Sequence, residues 1–119
     1  MNSRIQEMPL DGSGAPHCRV VMQFTDGTKP WAITACGDGT TDYIITDYTY
    51  GQQHRVLRIS GVDGHPIWTA GSFGNGPHQF TSPFDVKMLL DGRVAVVDHN
   101  NHRLQVLDAA TGTFLQQLG

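Results

Sequence analysis

The stretch from Gly74 to Asp108 reads GNGPHQFTSPFDVKMLLDGRVAVVDHNNHRLQVLD. Its second half holds two runs rich in branched apolar residues, 93–97 and 103–107, on either side of a polar segment. Short runs of this kind are typical of β-strands. The segment between them contains Asn100 and Asn101, and asparagine tolerates left-handed backbone angles. The stretch therefore predicts two antiparallel strands joined by a tight turn.

Asp-Gly pairs extend this pattern along the chain. They occur five times, at 11–12, 26–27, 38–39, 63–64 and 91–92. Because both residues tolerate positive φ, the pair is a strong signal for a type I′ hairpin turn. The runs between the pairs are too short for stable helices. The predicted fold class is all-β, an antiparallel meander.

Two long copies of one pattern fill most of the chain. Corresponding positions share their residue type at offsets of 53, 51 and 48 residues: Pro30 with Pro83, Asp47 with Asp98, and Arg55 with Arg103. A partial third copy opens the chain at Asn2-Ser3-Arg4. Blades of four short strands that repeat at about 50 residues are typical of a β-propeller. We predict the last two strands of a partial blade in 1–28, a blade in 29–72 and a second blade in 73–119.

Composition limits the classes of partner and compartment. The chain has 119 residues and a formal net charge of −3, with eight Lys or Arg residues. This balance gives no attraction to an anionic membrane and little to nucleic acid. Cys18 and Cys36 lack a CxxC partner and form no disulfide framework. A reduced, cytoplasmic location is the expectation.

The last copy resembles the NHL repeat, and the resemblance is carried by a Gly-rich segment, Gln-Phe, Ser-Pro and Asn-His-Arg. The matching positions are Gly74, Gly76, Gln79, Phe80, Ser82, Pro83, Asp98, Asn101, His102 and Arg103. The middle copy keeps only the His-Arg of the last motif, at His54-Arg55. The resemblance implies an incomplete NHL-type β-propeller of about two and a half four-stranded blades.

The same resemblance implies a binding function and not catalysis. In TRIM-NHL ubiquitin ligases the propeller recognises substrate proteins or RNA, while the ligase chemistry lies in a RING domain outside a chain such as this one. A protein partner is the first expectation and single-stranded RNA the alternative. The scattered cations disfavour RNA.

A metal-dependent enzyme is the second alternative. His99 and His102 are candidate ligands, and the core of peptidylglycine amidating lyase resembles NHL propellers with axial histidines. No histidine here can be matched to that family's ligands, and zinc needs three or four convergent donors. We therefore expect no metal and no cofactor.

Two acid and arginine pairs are the predicted structural locks of the blades. In each copy an aspartate ends the second strand and an arginine begins the third, which suits a bidentate contact across the turn. The residues are Asp47 with Arg55 and Asp98 with Arg103.

Loops at one end of the blades carry the candidate partner-binding residues. These are Tyr48, Tyr50, Phe73, His78, His99 and Asn100. Tyr48 and Tyr50 rank first, because they lie in YTYGQQH, where the first copy is longer than the second. Three other aromatic residues are expected to fill the space between blades: Trp31, Phe80 and Phe84.

An incomplete ring leaves apolar blade faces uncovered. We expect either missing blades or self-association to cover them.

Overall fold

The computed structural model describes residues 4–7, 19–23, 30–49 and 53–119. The strands are β1 Arg4–Glu7, β2 Arg19–Gln23, β3 Pro30–Ala35, β4 Tyr43–Thr49, β5 Gln53–Ile59, β6 Pro66–Ala70, β7 Ser72–Phe73, β8 Gln79–Phe80, β9 Pro83–Met88, β10 Arg93–Asp98, β11 Arg103–Asp108 and β12 Phe114–Leu118. The helical element in these ranges is a 3-10 turn of three residues, His99–Asn101, far below the length that a membrane crossing needs.

Two four-stranded antiparallel sheets dominate the molecule. Their strand orders are β3-β4-β5-β6 and β9-β10-β11-β12, so neighbours in sequence are neighbours in space. The strands β1 and β2 form a further antiparallel pair, and β7 pairs with β8 in parallel. The all-β prediction is confirmed, and each large sheet has the up-and-down order of a propeller blade. We call the sheet of β3 to β6 the first blade and that of β9 to β12 the second blade.

The main core lies between the two blades. Side chains alternate between the faces of a strand, so Ile44 and Val56 of the first blade meet Val94 and Val96 of the second. Phe80, on β8, is fully buried in the same cluster. The opposite face of the first blade buries a smaller cluster that includes Ile45 and Leu57.

Buried polar contacts join the blades at the end that carries the Asp-Gly turns. Arg58 of β5 is buried, and its guanidinium donates to Asp38 and Asp42 at 2.9 Å. It also reaches across to the second blade and donates to the carbonyl of Ala109 at 2.9 Å. The nearby thiol of Cys36 is buried, and desolvation raises its pKa to about 11. Arg58 thus ties the loop between β3 and β4 of the first blade to a turn of the second.

The Asp-Gly turns differ from the type I′ prediction. In the pairs at 38–39, 63–64 and 91–92 only the glycine has positive φ, at 91°, 77° and 81°. A type I′ turn needs positive φ at both central residues, so that prediction is wrong for these three. Longer connections, such as the four residues from Leu89 to Gly92 between β9 and β10, let the aspartate keep an ordinary backbone conformation. The pairs at 11–12 and 26–27 lie outside the described residues.

Candidate functional site

Six aromatic rings form a continuous row at the end of the blades opposite the Asp-Gly turns. Their centroids lie 4.6 to 6.0 Å apart from one ring to the next. Five strands and the 3-10 turn supply them, so the row crosses from the first blade to the second. We call this row the aromatic strip; its members are Trp31, Tyr48, His54, Phe73, Phe84 and His99.

Three rings of the strip stack nearly parallel. Trp31 and Phe84 have centroids 5.5 Å apart with an interplanar angle of 23°, and Phe84 and His99 are 4.6 Å apart at 24°. The ring of Tyr48 makes T-shaped contacts with both Trp31 and Phe84, with centroids 6.0 Å apart in each pair. Trp31 is 59% exposed and Phe73 54%, while His99 is also exposed. The strip therefore presents rigid apolar surface to solvent, as interface anchors do.

His54 is the buried centre of the strip. It lies on β5, is only 3% exposed, and sits between Tyr48 at 4.9 Å and Phe73 at 4.6 Å. Its Nδ1 accepts the backbone N–H of Ser82 from the second blade at 2.8 Å. Desolvation lowers the pKa of the imidazole, partly offset by the charges of Asp47 and Asp98, so the neutral form is favoured.

The turn after β10 holds the second-blade side of the strip in place. Asp98 is fully buried and accepts from Thr81 N at 2.7 Å, Asn101 Nδ2 at 2.8 Å and Arg103 Nε at 2.8 Å. Arg103 in turn donates to the carbonyls of Gly76 at 2.8 Å and Gln79 at 2.6 Å. In the first blade, Arg55 Nε lies 2.8 Å from Asp47 Oδ2, across a directly paired position of β4 and β5.

Comparison with known proteins identifies the repeat. No family model matches the chain. Over 78 residues, or 66% of its length, the chain is 38% identical to NHL repeat-containing protein 3 of Mus musculus and 37% identical to the Homo sapiens protein of the same name. The chain carries NHL repeats. The matched segment spans 22% of each of these relatives.

The NHL repeats agree with the four-stranded antiparallel sheets, each of which has the strand order of an NHL-type propeller blade. Within the described ranges, no three His, Cys, Asp or Glu side chains gather as a metal site.

The structure places the candidate residues of the NHL blades in two locations. Tyr48, Phe73 and His99 come together in the aromatic strip. Asn100 adjoins it, because its Oδ1 lies 3.0 Å from Nδ1 of His99 and its amide donates to Ser82 Oγ at 3.2 Å. His78 instead stacks on Phe114 of β12, with centroids 4.4 Å apart. Tyr50 lies outside the described residues.

Sequence reasoning misplaced or missed three members of the strip. Tyr48 was expected in a long loop, but β4 extends to Thr49 and its partner in β5 is His54. Trp31 was expected to fill space between blades, yet most of its surface is exposed. His54 was expected in a loop and is buried in a strand. One signal was available: Pro30-Trp31 and Pro83-Phe84 are equivalent positions of the two repeats, and both place an aromatic ring in the strip.

Proposed function

We propose that this NHL chain binds a segment of a partner protein along the aromatic strip. The observation that carries the proposal is the unbroken row of rings across two blades, with Trp31 and Phe73 more than half exposed. Aromatic side chains give large contact area with few rotatable bonds, so they lose little conformational entropy on binding. The stacked rings of Trp31, Phe84 and His99 hold this part of the surface in place before a partner arrives.

The charge distribution favours protein over nucleic acid. Four of the arginines lie within 3 Å of a carboxylate in the described part of the chain, paired as Arg55 with Asp47, Arg58 with Asp42, Arg93 with Asp91 and Arg103 with Asp98. Cations neutralised in this way contribute little to phosphate binding, which supplies most of the affinity for RNA. The overall charge of −3 acts in the same direction.

Single-stranded RNA is the second candidate, and one observation favours it. The near-parallel rings of Trp31, Phe84 and His99 resemble a platform on which bases stack. Binding of RNA would fall steeply as salt rises, whereas docking of an apolar protein segment would not.

We further propose that the partner is a substrate protein: this module binds it, and a catalytic domain elsewhere acts on it. The resemblance to TRIM-NHL ubiquitin ligases suggests substrate recognition, with ligase chemistry supplied from outside these 119 residues. The strip would then set which substrate is captured.

Crosslinked capture from cell lysate tests the proposal. The wild-type chain is compared with Trp31→Ala, and Leu90→Ala serves as a matched control because Leu90 is an exposed apolar residue beside the Asp91-Gly92 turn. We expect a defined set of proteins that Trp31→Ala loses and Leu90→Ala keeps, with unchanged circular dichroism spectra. Equal capture by all three chains contradicts the proposal. Capture of RNA by the wild-type chain favours the second candidate if the captured RNA is lost as salt is raised from about 50 to about 200 mM.

A further inference from the structure

The imidazole of His54 has one nitrogen whose hydrogen-bonding capacity is unused. Its Nδ1 accepts from the backbone of Ser82, whereas Nε2 is buried and has no hydrogen-bond partner among the described residues. A neutral imidazole that accepts at one nitrogen carries its proton on the other. Nε2 is therefore an N–H donor, held in that tautomer by the contact with the second blade.

An unpaired buried donor is costly to keep. A polar group that is buried without a partner loses its bonds to water and gains none in return. The rings of Tyr48 and Phe73 stand nearly perpendicular to the imidazole, and an aromatic face would be only a weak acceptor. Such groups are uncommon in folded proteins, and a ligand is one of the explanations.

Phe73 supplies part of the cover of His54. Phe73 is the more exposed of the two rings that flank the imidazole, at 54%, and it lies on β7, a strand of two residues. Phe73 therefore belongs to neither four-stranded sheet. A ring from a partner can take the place that Phe73 leaves.

We propose that Nε2 of His54 is a subsite for a backbone carbonyl of the partner segment, next to an aromatic side chain of that segment that displaces Phe73. This inference rests on the proposed function and names the chemistry that the strip selects. A neutral donor requires an acceptor, and a peptide carbonyl is the neutral acceptor that every protein segment offers. A carboxylate is disfavoured, because the buried Asp47 and Asp98 already place negative charge around His54.

The site can be probed without the natural partner. N-acetyl-L-phenylalaninamide combines an aromatic ring with peptide carbonyls and carries no charge. We would titrate it into the full chain labelled with nitrogen-15 and follow the Nε2 resonance of His54 together with the indole N–H of Trp31. We expect a saturable shift of Nε2, since a new hydrogen bond deshields both the nitrogen and its proton.

Two variants separate a bound carbonyl from a general effect on the fold. In His54→Asn the Oδ1 atom takes the place of Nδ1 and keeps the bond from Ser82, but the distal donor is lost. His65→Asn makes the same substitution at an exposed histidine in the turn between β5 and β6. With the backbone amide of Phe73 as the common readout, we expect His54→Asn to weaken probe binding about fivefold to tenfold, the range for one hydrogen bond. His65→Asn leaves the affinity unchanged.

The possible outcomes distinguish this subsite from the function of the strip. Shifts confined to Trp31 and Phe84, with Nε2 unchanged, overturn the subsite and leave protein binding at the strip intact. Absence of any shift also overturns the subsite, while the strip is still judged by the capture experiment. Equal affinity of wild type and His54→Asn refutes the role of Nε2 even if the probe binds.

Discussion

At the scale of single residues, Asp98 shows how one carboxylate organises the second-blade end of the strip. Three donors from three segments converge on it, and each is within 2.8 Å. The carboxylate is fully buried and the side chain of its partner Arg103 is only 8% exposed. Removal of the acid would leave a buried guanidinium without its counter-charge, which is the costly way to break such a pair.

We predict that Asp98→Ala lowers the free energy of unfolding by about 3 to 5 kcal/mol. The equivalent change Asp47→Ala is expected to cost less, because solvent reaches the side chain of Arg55, which is 21% exposed. Urea denaturation followed by circular dichroism measures both. Asp91→Ala breaks an exposed pair with Arg93 and serves as the control, with no measurable change. A loss for Asp98→Ala as small as that of the control would contradict the assigned role.

A pH dependence follows from His54. Burial lowers its folded pKa below the ordinary histidine value of 6.5, so folding favours the neutral imidazole. That stabilisation is fully present above the unfolded pKa and is lost as pH falls through the folded pKa. Protonation of Nδ1 would also break the hydrogen bond from the backbone N–H of Ser82, because two N–H donors would then face each other. We predict that the wild-type chain loses stability on acidification below pH about 6.5, beyond any loss shown by His54→Asn.

Urea midpoints at several pH values, compared between wild type and His54→Asn, measure this difference. His65→Asn controls for the removal of an exposed histidine. Parallel curves for wild type and His54→Asn would show that His54 does not titrate differently in the folded state.

At the scale of elements, the turns between strands pack on one another as well as reversing the chain. Gly61 follows β5, and a Cβ on it would overlap the backbone carbonyl of Thr41 in the loop between β3 and β4. Gly92, between β9 and β10, has positive φ of 81° but open space around it. The two glycines are therefore required for different reasons, the first for close packing and the second for backbone conformation.

We predict that Gly61→Ala lowers the free energy of unfolding by about 2 kcal/mol or more, because a backbone atom cannot move aside as a side chain does. Gly92→Ala should cost only the strain of a left-handed alanine, about 1 to 2 kcal/mol. Thermal and urea unfolding compare the two. A smaller loss for Gly61→Ala than for Gly92→Ala would show that the turn after β5 can shift away from Thr41.

At the scale of the whole molecule, the two blades are alike but their outer surroundings differ. Ile44 and Val56 of the first blade are fully buried under the second. The equivalent positions of the second blade, at the same repeat offsets, are Ala95 and Leu104. Leu104 is 37% exposed, and Val97 and Leu118 on the same face are exposed as well. A sheet face of this kind favours association with another apolar surface.

We predict that the purified chain has a molar mass by light scattering above its monomer value of 13.0 kDa and rising with concentration. Leu104→Lys should shift the mass toward the monomer, since a buried ammonium opposes contact at that face. Leu90→Lys adds the same charge beside the turn before β10 and should leave the mass unchanged. A monomeric wild-type chain at all concentrations would contradict the prediction.

The sequence by itself determined the fold class and the repeat, whereas packing between blades decided the composition of the aromatic strip. Turn residues and apolar runs are local signals, so the all-β meander follows from them. Local patterns do not report which residues meet across two sheets: Trp31 and Phe84 are 53 positions apart, and His54 meets Ser82 from the other blade. The length difference after Tyr48 indicated a loop, but pairing with β5 extended the strand and brought the ring into the strip. His78 was predicted from the sequence to bind a partner together with residues of the strip. It stacks on Phe114 instead, because contacts between distant segments set its position.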